Sequence, residues 1–424
     1  MWDTFLHKLK FISSDEDLRR RILFILGGLM IFTILRSIPV PGVDSDRLAD
    51  FFTQEEFFGF IDIFAGGGLS NFSIVMLGLG PFITSSIIMQ LMTVVSPKLK
   101  ALYQDEGEAG RRTFVQYSRM LTVPIAAIQS FGFLMLLRGE GVLLDLEPFQ
   151  FMTNIIVIIG ASVLLMWIGE LITQYGIGNG VSLLIFAGIV ASLPGFVAER
   201  LVAFDPADIP MLVGFAAIAL IVIFGVVVIT EAERQIPITY AKQVRGQSSG
   251  GGILTYLPLR LNQGGVIPII FGLSILLFPQ TILEFLTRVD NPTVVQVANF
   301  LLTQLTTEWI YATLYFLLVF GFTYFYIAIT FDPKSVASNL QKGGAFIAGV
   351  RPGEATANYI GDVLTRLTLV GALFLGTVAV LPLVMQSITG IGALAIGGTA
   401  LLITVVVVTD LIKKIDAQIA LREY

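Results

Sequence analysis

The strongest constraint on the fold is a series of ten long apolar stretches that carry almost no charge. A helix needs roughly 20 such residues to cross a hydrocarbon core of about 30 Å. The chain has 424 residues, of which 55% are apolar and 13% charged, whereas soluble domains are about 25% charged. The sequence therefore predicts an all-α polytopic membrane protein with ten transmembrane helices. The predicted spans cover about 22–38, 72–95, 114–137, 151–172, 181–198, 211–230, 266–287, 309–330, 367–386 and 393–411.

Lys and Arg are unevenly divided between the two sets of segments that connect these spans. Of the 26 cations, 21 fall on the side that holds both termini and five fall on the other side. Segments that remain in the cytoplasm carry the excess of Lys and Arg. We therefore expect both termini to be cytoplasmic. The five outer cations are Arg36, Arg47, Arg138, Arg200 and Arg288.

Composition and motifs exclude several kinds of chemistry. The chain has no Cys and a single His, His7, so it lacks the ligands for Cys-based zinc or iron–sulfur sites and for multi-His metal sites. The spans lack the midplane charges on which ion-coupled transporters depend. Neither Gly176–Gly180 nor Gly250–Gly252 completes a nucleotide-binding motif, and the first is interpreted as a tight turn. We predict a protein without catalytic residues, metal or cofactor, which is not an enzyme.

Three further segments stand out. The apolar run in 57–71 is too short to cross a membrane and ends in glycines, which is compatible with an interfacial turn or with a re-entrant segment that fills a cavity. Gly78–Pro81 lies inside the second predicted span, where we expect a kinked helix. The cytoplasmic segments 231–265 and 331–366 are long for helix connections. They are either solvated topology signals or a docking surface for an anionic or RNA-bearing partner.

Eight motifs in this sequence occur in the same order as in a known family, between about residues 18 and 415. Their order and extent give the chain a close resemblance to the SecY family, the channel subunits of the bacterial protein translocase. The motifs are Ile38–Gly42, Phe64–Gly67, Gly107–Arg112, Trp167–Glu170, Gly176–Gly180, Gly344–Phe346, Gly349–Glu354 and Thr365–Ala372.

The resemblance implies two pseudosymmetric halves, related as an inverted repeat, around a central hourglass pore. The N-terminal half would be residues 1–200 with spans 1–5, and the C-terminal half residues 201–424 with spans 6–10. The pore waist would be a ring of apolar side chains, which suits a channel because such a ring dewets and deforms around a chain without binding it. Leu79 and Val181 depart from the family's usual isoleucine. The implied ring is Leu79, Ile83, Val181, Ile185, Ile270 and Ile403.

Three other regions receive roles from the resemblance. About residues 57–71 would be a plug that closes the outer funnel, with Phe60, Ile63, Phe64, Gly66, Gly67 and Leu69. Spans 2–3 against 7–8 would be a lateral gate with the polar residues Thr84, Gln90, Gln129 and Ser274, although ordinary hydrogen bonding between helices explains such residues equally well. Docking of a ribosome or of SecA would use Lys242, Arg245 and Arg351, on loops that here lack the dense basic run of many relatives.

The implied function is passage of unfolded secretory proteins across the bacterial inner membrane and lateral release of transmembrane segments. The implied partners are SecE and SecG in a heterotrimer, the SecA motor, the ribosome, signal peptides, unfolded polypeptides and membrane lipids, with SecDF and YidC as further candidates. Two alternatives remain open at this stage. An uncoupled small-solute transporter would need convergent polar groups at the midplane, and a structural or insertase-only scaffold would need neither plug nor apolar ring.

Overall fold

The computed structural model describes residues 14–43, 47–48, 66–69, 72–104, 106–139, 141–143, 147–202, 209–240, 254–287, 291–389 and 392–423. Most of them are helical. In chain order the helices are α1 (Glu16–Arg36), α2 (Gly80–Val95), α3 (Pro97–Gln104), α4 (Gly107–Gly139), α5 (Pro148–Tyr175), α6 (Gly180–Val202), α7 (Ile209–Glu231), α8 (Ile267–Leu286), α9 (Pro292–Thr306), α10 (Glu308–Thr330), α11 (Pro333–Lys342), α12 (Glu354–Thr389) and α13 (Gly392–Glu423). The strands are β1 (Glu233–Tyr240), β2 (Leu254–Arg260) and β3 (Ala345–Ile347).

The ten predicted spans coincide with ten of these helices, namely α1, α2, α4 to α8, α10, α12 and α13. Within the described residues, four helical stretches are by themselves long and apolar enough to cross a membrane, and the pair α2 and α3, bent by 111°, makes a fifth if it counts as one span. The other predicted spans lie on shorter apolar helices or on helices with charged ends. The four stretches are Gly107–Gly139, Pro148–Tyr175, Glu308–Lys342 and Glu354–Ser387.

The second span begins later than predicted, and the prediction of a kinked helix at Gly78–Pro81 is wrong. Residues 72–79 form a series of turns, and Gly78 has a φ of +52°. Helix α2 starts at Gly80, with Pro81 in its first turn. Proline is favoured at this position because it has no N–H to leave unpaired and its φ already suits a helix. The proline that was expected to bend the helix therefore starts it.

The helices pack in two groups. Helices α1, α2, α4, α5 and α6 contact mainly one another, and so do α7, α8, α10, α12 and α13. Two seams join the groups: α6 packs against α13, and α8 packs against both α2 and α4. These seams bring four helices from both groups around one apolar centre.

An ion cluster at the ends of the chain adds a contact between the groups. Arg422 near the end of α13 pairs with Asp15 and Asp17 at the start of α1. The Leu18 N–H and Arg422 hold the pKa of Asp15 below its ordinary value, and Arg422 does the same for the pKa of Asp17. A lowered pKa means that the pairing is present at neutral pH and is lost only as the pH falls through the folded-state value.

The described parts of the two long segments predicted to be cytoplasmic share an antiparallel sheet in the order β2-β1-β3, which the sequence analysis did not predict. Strand β1 pairs with β2 along its length, and Ile238 of β1 lies opposite Ile347 of β3. Ile236, Leu259, Ile347 and Ile360 form a small apolar core beneath this sheet. The sheet thus joins segment 231–265 to segment 331–366.

The glycine-rich stretch between α5 and α6 is the tight turn that the sequence predicts. Gly178 has a φ of +93°, and the Gly180 N–H donates to Thr173 Oγ1 at 2.8 Å. A Cβ built at Gly180 would collide with the carbonyl oxygen of Gly169 on α5. Close approach of the two helices therefore requires glycine at position 180.

We predict that Gly180→Ala separates α5 from α6, because the added methyl meets a backbone oxygen that cannot rotate away. Overpacking of this kind destabilises a fold by about 1–3 kcal/mol. The matched control is Gly160→Ala on α5, where a Cβ would meet nothing within 4 Å. Thermal unfolding of the purified proteins in detergent should show a lower Tm for Gly180→Ala only. Equal Tm values for the two variants would contradict the packing described here.

Candidate functional site

The six predicted ring residues all belong to, or pack against, one large apolar cluster that extends through both groups of helices. Leu79, Ile83, Ile185, Ile270 and Ile403 are all buried in the same cluster. Val181 is half-buried and packs against that cluster, with its methyl group also close to Gly169 of α5. These residues come from α6, α8, α13 and the start of α2. The structure thus brings together side chains that are up to 324 positions apart in the sequence.

A polar cavity of about 250 Å³ lies on one side of this cluster. Its walls include residues about one helical turn from the ring on three helices: Ser182 on α6, Ile267 on α8 and Val407 on α13. Other apolar residues, such as Leu183 and Val406, also line the cavity, together with the polar and charged residues Asn179, Thr230, Arg260, Asn262, Gln263, Asp410, Lys413 and Lys414. By the predicted orientation, this is the cytoplasmic side.

The described end of the predicted plug lies against α6 at Gly188. Gly66, Gly67 and Leu69 are buried, and Leu69 belongs to a second apolar cluster with Phe72 and Leu137. The Ser73 N–H donates to the Gly68 carbonyl at 2.9 Å and holds this end against the chain that leads into α2. The predicted plug residues Phe60, Ile63 and Phe64 lie outside the described residues.

Helix α6 shows the order of these surfaces along a single element. Ser182 lines the polar cavity, Ile185 lies in the apolar cluster, and Gly188 contacts the plug end at Gly66. At 1.5 Å of rise per residue, the path from Ser182 to Gly188 is about 9 Å. The barrier between the cavity and the plug is therefore thin.

The predicted gate residues lie on helices that face one another across the seam between α8 and the pair α2 and α4. Thr84 is buried but donates to Gly80 of its own helix at 3.0 Å. Gln90 has a buried side-chain oxygen without a hydrogen-bond partner among the described residues. Gln129 and Ser274 are half-buried. The described contacts of Thr84 and Gln90 do not tie the two sides of this seam together.

Polar contacts that sequence reasoning missed lie next to the gate residues. Ser85 Oγ donates to the Ser118 carbonyl at 2.7 Å and lies 2.9 Å from Thr122 Oγ1, which joins α2 to α4. Arg119 and Glu170 form an ion pair at 2.6 Å between α4 and α5. Both contacts lie within one side of the gate. These contacts could not be predicted from the spacing of the residues in the sequence, because each bond joins two different helices.

The predicted docking residues are placed only in part. Arg351 is exposed on the turn between β3 and α12, where Gly349 and Gly353 have φ values of +83° and +98°. Its carbonyl accepts a hydrogen bond from Thr356 Oγ1 at 2.8 Å, which fixes the turn. Lys242 and Arg245 fall between β1 and β2 and lie outside the described residues.

A buried arginine that the sequence analysis assigned only to the outer segment lies at the plug end. Arg36 is 9% exposed and hydrogen-bonds the carbonyl oxygens of Gly67 and Gly188. Of metal sites there is no sign in the described part of the chain, where no three His, Cys, Asp or Glu residues come together. The arrangement offers an apolar barrier and backbone contacts rather than a reaction centre.

Comparisons with known proteins agree with this geometry. A sequence profile of the SecY family matches residues 73–412. The protein translocase subunit SecY of Corynebacterium glutamicum is 39% identical and covers 97% of both chains. The subunit of Halalkalibacterium halodurans is 41% identical over 96% of both, and that of Thermus thermophilus is 40% identical over 96% of this chain and 94% of the relative.

Solved structures share the fold. A protein-conducting channel superposes with a TM-score of 0.68 at 21% identity, covering 94% of this chain and 92% of the other. A SecY channel structure that concerns the plug domain and the closed state gives a TM-score of 0.66 at 22% identity, with the same coverage. Canine Sec61 in a ribosome–channel complex gives 0.63 at 21% identity, again with the same coverage. With a profile match over most of its length and relatives near 40% identity across nearly all of it, this chain belongs to the SecY family of protein translocase subunits.

Proposed function

We propose that this chain forms the central pore of a bacterial Sec translocon. Unfolded secretory proteins cross the membrane through the apolar ring, and transmembrane segments leave sideways between α8 and the pair α2 and α4. The chain itself carries out no covalent chemistry. It supplies a path whose use depends on a partner that pushes the polypeptide.

The order of cavity, ring and plug end along α6 is the observation that carries this proposal. A polar cavity lets an extended peptide enter hydrated, because its backbone groups keep their hydrogen bonds to water. An apolar ring excludes water and ions when closed and forms no fixed hydrogen bonds with a passing chain. A thin barrier of about 9 Å limits the length of peptide that is desolvated at any moment to about three extended residues.

The seam beside the ring supports lateral release. Within the side that α2, α4 and α5 form, Ser85 bonds to α4, and Arg119 pairs with Glu170. Across the seam, α8 packs on α2 and α4 with apolar residues such as Ile83, Ile87 and Leu273 in the shared cluster. Packing of apolar surfaces is replaced by lipid at little loss, since lipid tails are as apolar as these side chains. The seam can therefore part while each side remains intact.

We propose the cytoplasmic sheet as the docking surface for the driving partner, SecA or a ribosome. In support, the sheet pairs β3, which leads into the turn of Arg351, with β1, the strand that precedes Lys242 and Arg245 in the sequence. An arginine on a fixed turn offers a planar donor fork that suits carboxylate or phosphate groups. SecE and SecG complete the heterotrimer, SecDF and YidC are accessory partners, and the location is the bacterial inner membrane with both termini in the cytoplasm.

The proposal assigns the two packing groups to the two pseudosymmetric halves, residues 1–200 and 201–424. In support, the seams described above are the main contacts between these groups, and α6 ends at Val202 while α7 begins at Ile209. Parting of the α8 seam would widen the ring, because Ile270 lies on α8 while Leu79 and Ile83 lie at the start of α2. A single movement of α8 would then open both the lateral gate and the pore.

Replacement of Ile83 by Asn should weaken the closed ring, because a buried amide without a partner destabilises that state by about 1–3 kcal/mol. We expect export of a reporter with a defective signal peptide to rise, together with ion leak in proteoliposomes. The control is Ile31→Asn, at a position on α1 that is 50% exposed and outside the ring. If both variants export the reporter at the wild-type level, Ile83 does not belong to the ring.

A charge reversal tests the docking surface. Arg351→Glu should leave insertion and subunit assembly unchanged, because the many other cytoplasmic cations hold the topology. ATP-dependent transport driven by SecA should fall steeply, since an anion then faces the surface that bound the arginine. Lys334→Glu is the matched control, an exposed cation reversed in the same segment at the start of α11. Transport rates that are equal in the two variants would leave the loop with a topology role only.

A further inference from the structure

Arg36 occupies an unusual position for a charged residue. It is the last residue of α1, and it is only 9% exposed. Its Nε donates to the Gly67 carbonyl at 2.7 Å, and its Nη1 donates to the Gly188 carbonyl at 3.4 Å. One guanidinium therefore bridges the plug end to α6.

The glycines around Arg36 are required by the closeness of these contacts. Gly67 has a φ of +71°, and a Cβ built there would collide with the Arg36 guanidinium. A Cβ built at Gly188 would collide with the backbone of Gly66. At Gly66, with a φ of +67°, a Cβ would come within 2.6 Å of the Phe32 ring. The plug end and α6 thus meet backbone to backbone, and the Phe32 and Arg36 side chains of α1 pack directly on the plug end.

Hydrogen bonds from a charged donor are stronger than neutral ones, and leaving a buried charge unpaired is costly. Arg36 is therefore best satisfied when the plug end is seated. When the plug end leaves, the space that it vacates admits water, and water can replace the carbonyl oxygen of Gly67. The contact is consequently strong enough to favour the closed state and still reversible.

We propose that Arg36 is the latch that seats the plug, by hydrogen-bonding Gly67 and Gly188 while the channel is at rest. This inference rests on the proposed role of segment 57–71 as the plug. Arg36 acts as a positioning residue: it touches the plug backbone and not the translocating polypeptide. The requirement for glycine at Gly67 and Gly188 belongs to the same latch.

The absence of Cys from the sequence allows a direct test of plug seating. Leu69→Cys places one thiol at a fully buried position of the plug end. The full chain, purified with its co-purifying membrane subunits and reconstituted in vesicles, is treated with a membrane-impermeant maleimide that reaches the outer face. In the Arg36→Met background the labelling rate should rise by roughly tenfold or more, the range expected for loss of a charged hydrogen bond. Arg36→Lys should fall between, because lysine keeps the charge without the planar fork.

Two controls separate unlatching from general loosening. Arg47→Met removes another outer arginine, one that donates to the Gly141 carbonyl at 2.9 Å, and should leave labelling at position 69 unchanged. Leu143→Cys reports on a second buried position of the outer apolar cluster. A rise at position 69 alone supports the latch. No rise at position 69, or an equal rise at both positions in the Arg36→Met background, overturns it.

A second pair of variants covers the case in which Arg36→Met does not accumulate. Gly188→Ala leaves Arg36 in place but displaces Gly66, so labelling at position 69 should rise; Gly27→Ala, where a Cβ meets nothing within 4 Å, should not change it. Unchanged labelling in Gly188→Ala counts against the latch.

Ion leak measured in parallel tests the plug itself. Increased labelling without increased leak would keep the latch and contradict the proposed seal, so that the two failures are distinguishable.

Discussion

Apolar side chains from both groups of helices share one buried cluster, and this packing sets the conditions for the rest of the structure. A passage for polypeptides must be wide when in use and closed to water and ions at rest. An apolar contact such as that of Ile83, Ile185, Ile270 and Ile403 meets both requirements, because it excludes water when closed and has no directional bonds to break when it opens. A polar or charged constriction would hold particular side chains of the substrate.

The polar contacts of the protein are arranged around this apolar centre rather than in it. Ser85 bonds to Ser118 within one side of the gate, and the Arg119–Glu170 pair lies within the same group of helices. Asp15, Asp17 and Arg422 join the two groups at the ends of the chain, away from the seam of α8. Directional bonds thus hold helices together within the groups, and among the described residues a few, such as the Arg422 pairs and the Gln104 bond to the Ile329 carbonyl, also join the groups. Much of the packing of α8 on α2 and α4 is apolar, and such packing separates more easily in lipid.

Much of the fold and part of the site could be predicted from the sequence because apolar length and cation counts report directly on the membrane. The ten spans coincide with helices, and the ring residues, which were carried over from family motifs, belong to or pack against one large apolar cluster. Local patterns failed where tertiary contact decides the outcome. The residues around Pro81 look the same in the sequence whether the proline kinks a helix or starts one. Only the turns that precede Gly80 in the structure show that Pro81 starts the helix. The cytoplasmic sheet left a weak signal in the alternation around Ile236 and Ile238, which is short and interrupted by proline. Nothing in the sequence indicated the role of Arg36, because an arginine after a span resembles any other outer cation. Its contacts with Gly67 and Gly188 are visible only in the structure.

The central claim is that an unfolded polypeptide passes through the ring. The most direct measurement places a photoreactive side chain at Ile83, Ile185 or Ile270 in turn and arrests a secretory polypeptide during transport. Ile31 on α1 and Phe224 on α7, which are 50% and 71% exposed outside the ring, serve as control positions. The account predicts that the ring positions crosslink to the arrested polypeptide while the controls crosslink only to lipid. Crosslinks from the ring positions to neighbouring helices alone, with the polypeptide demonstrably arrested, would contradict it.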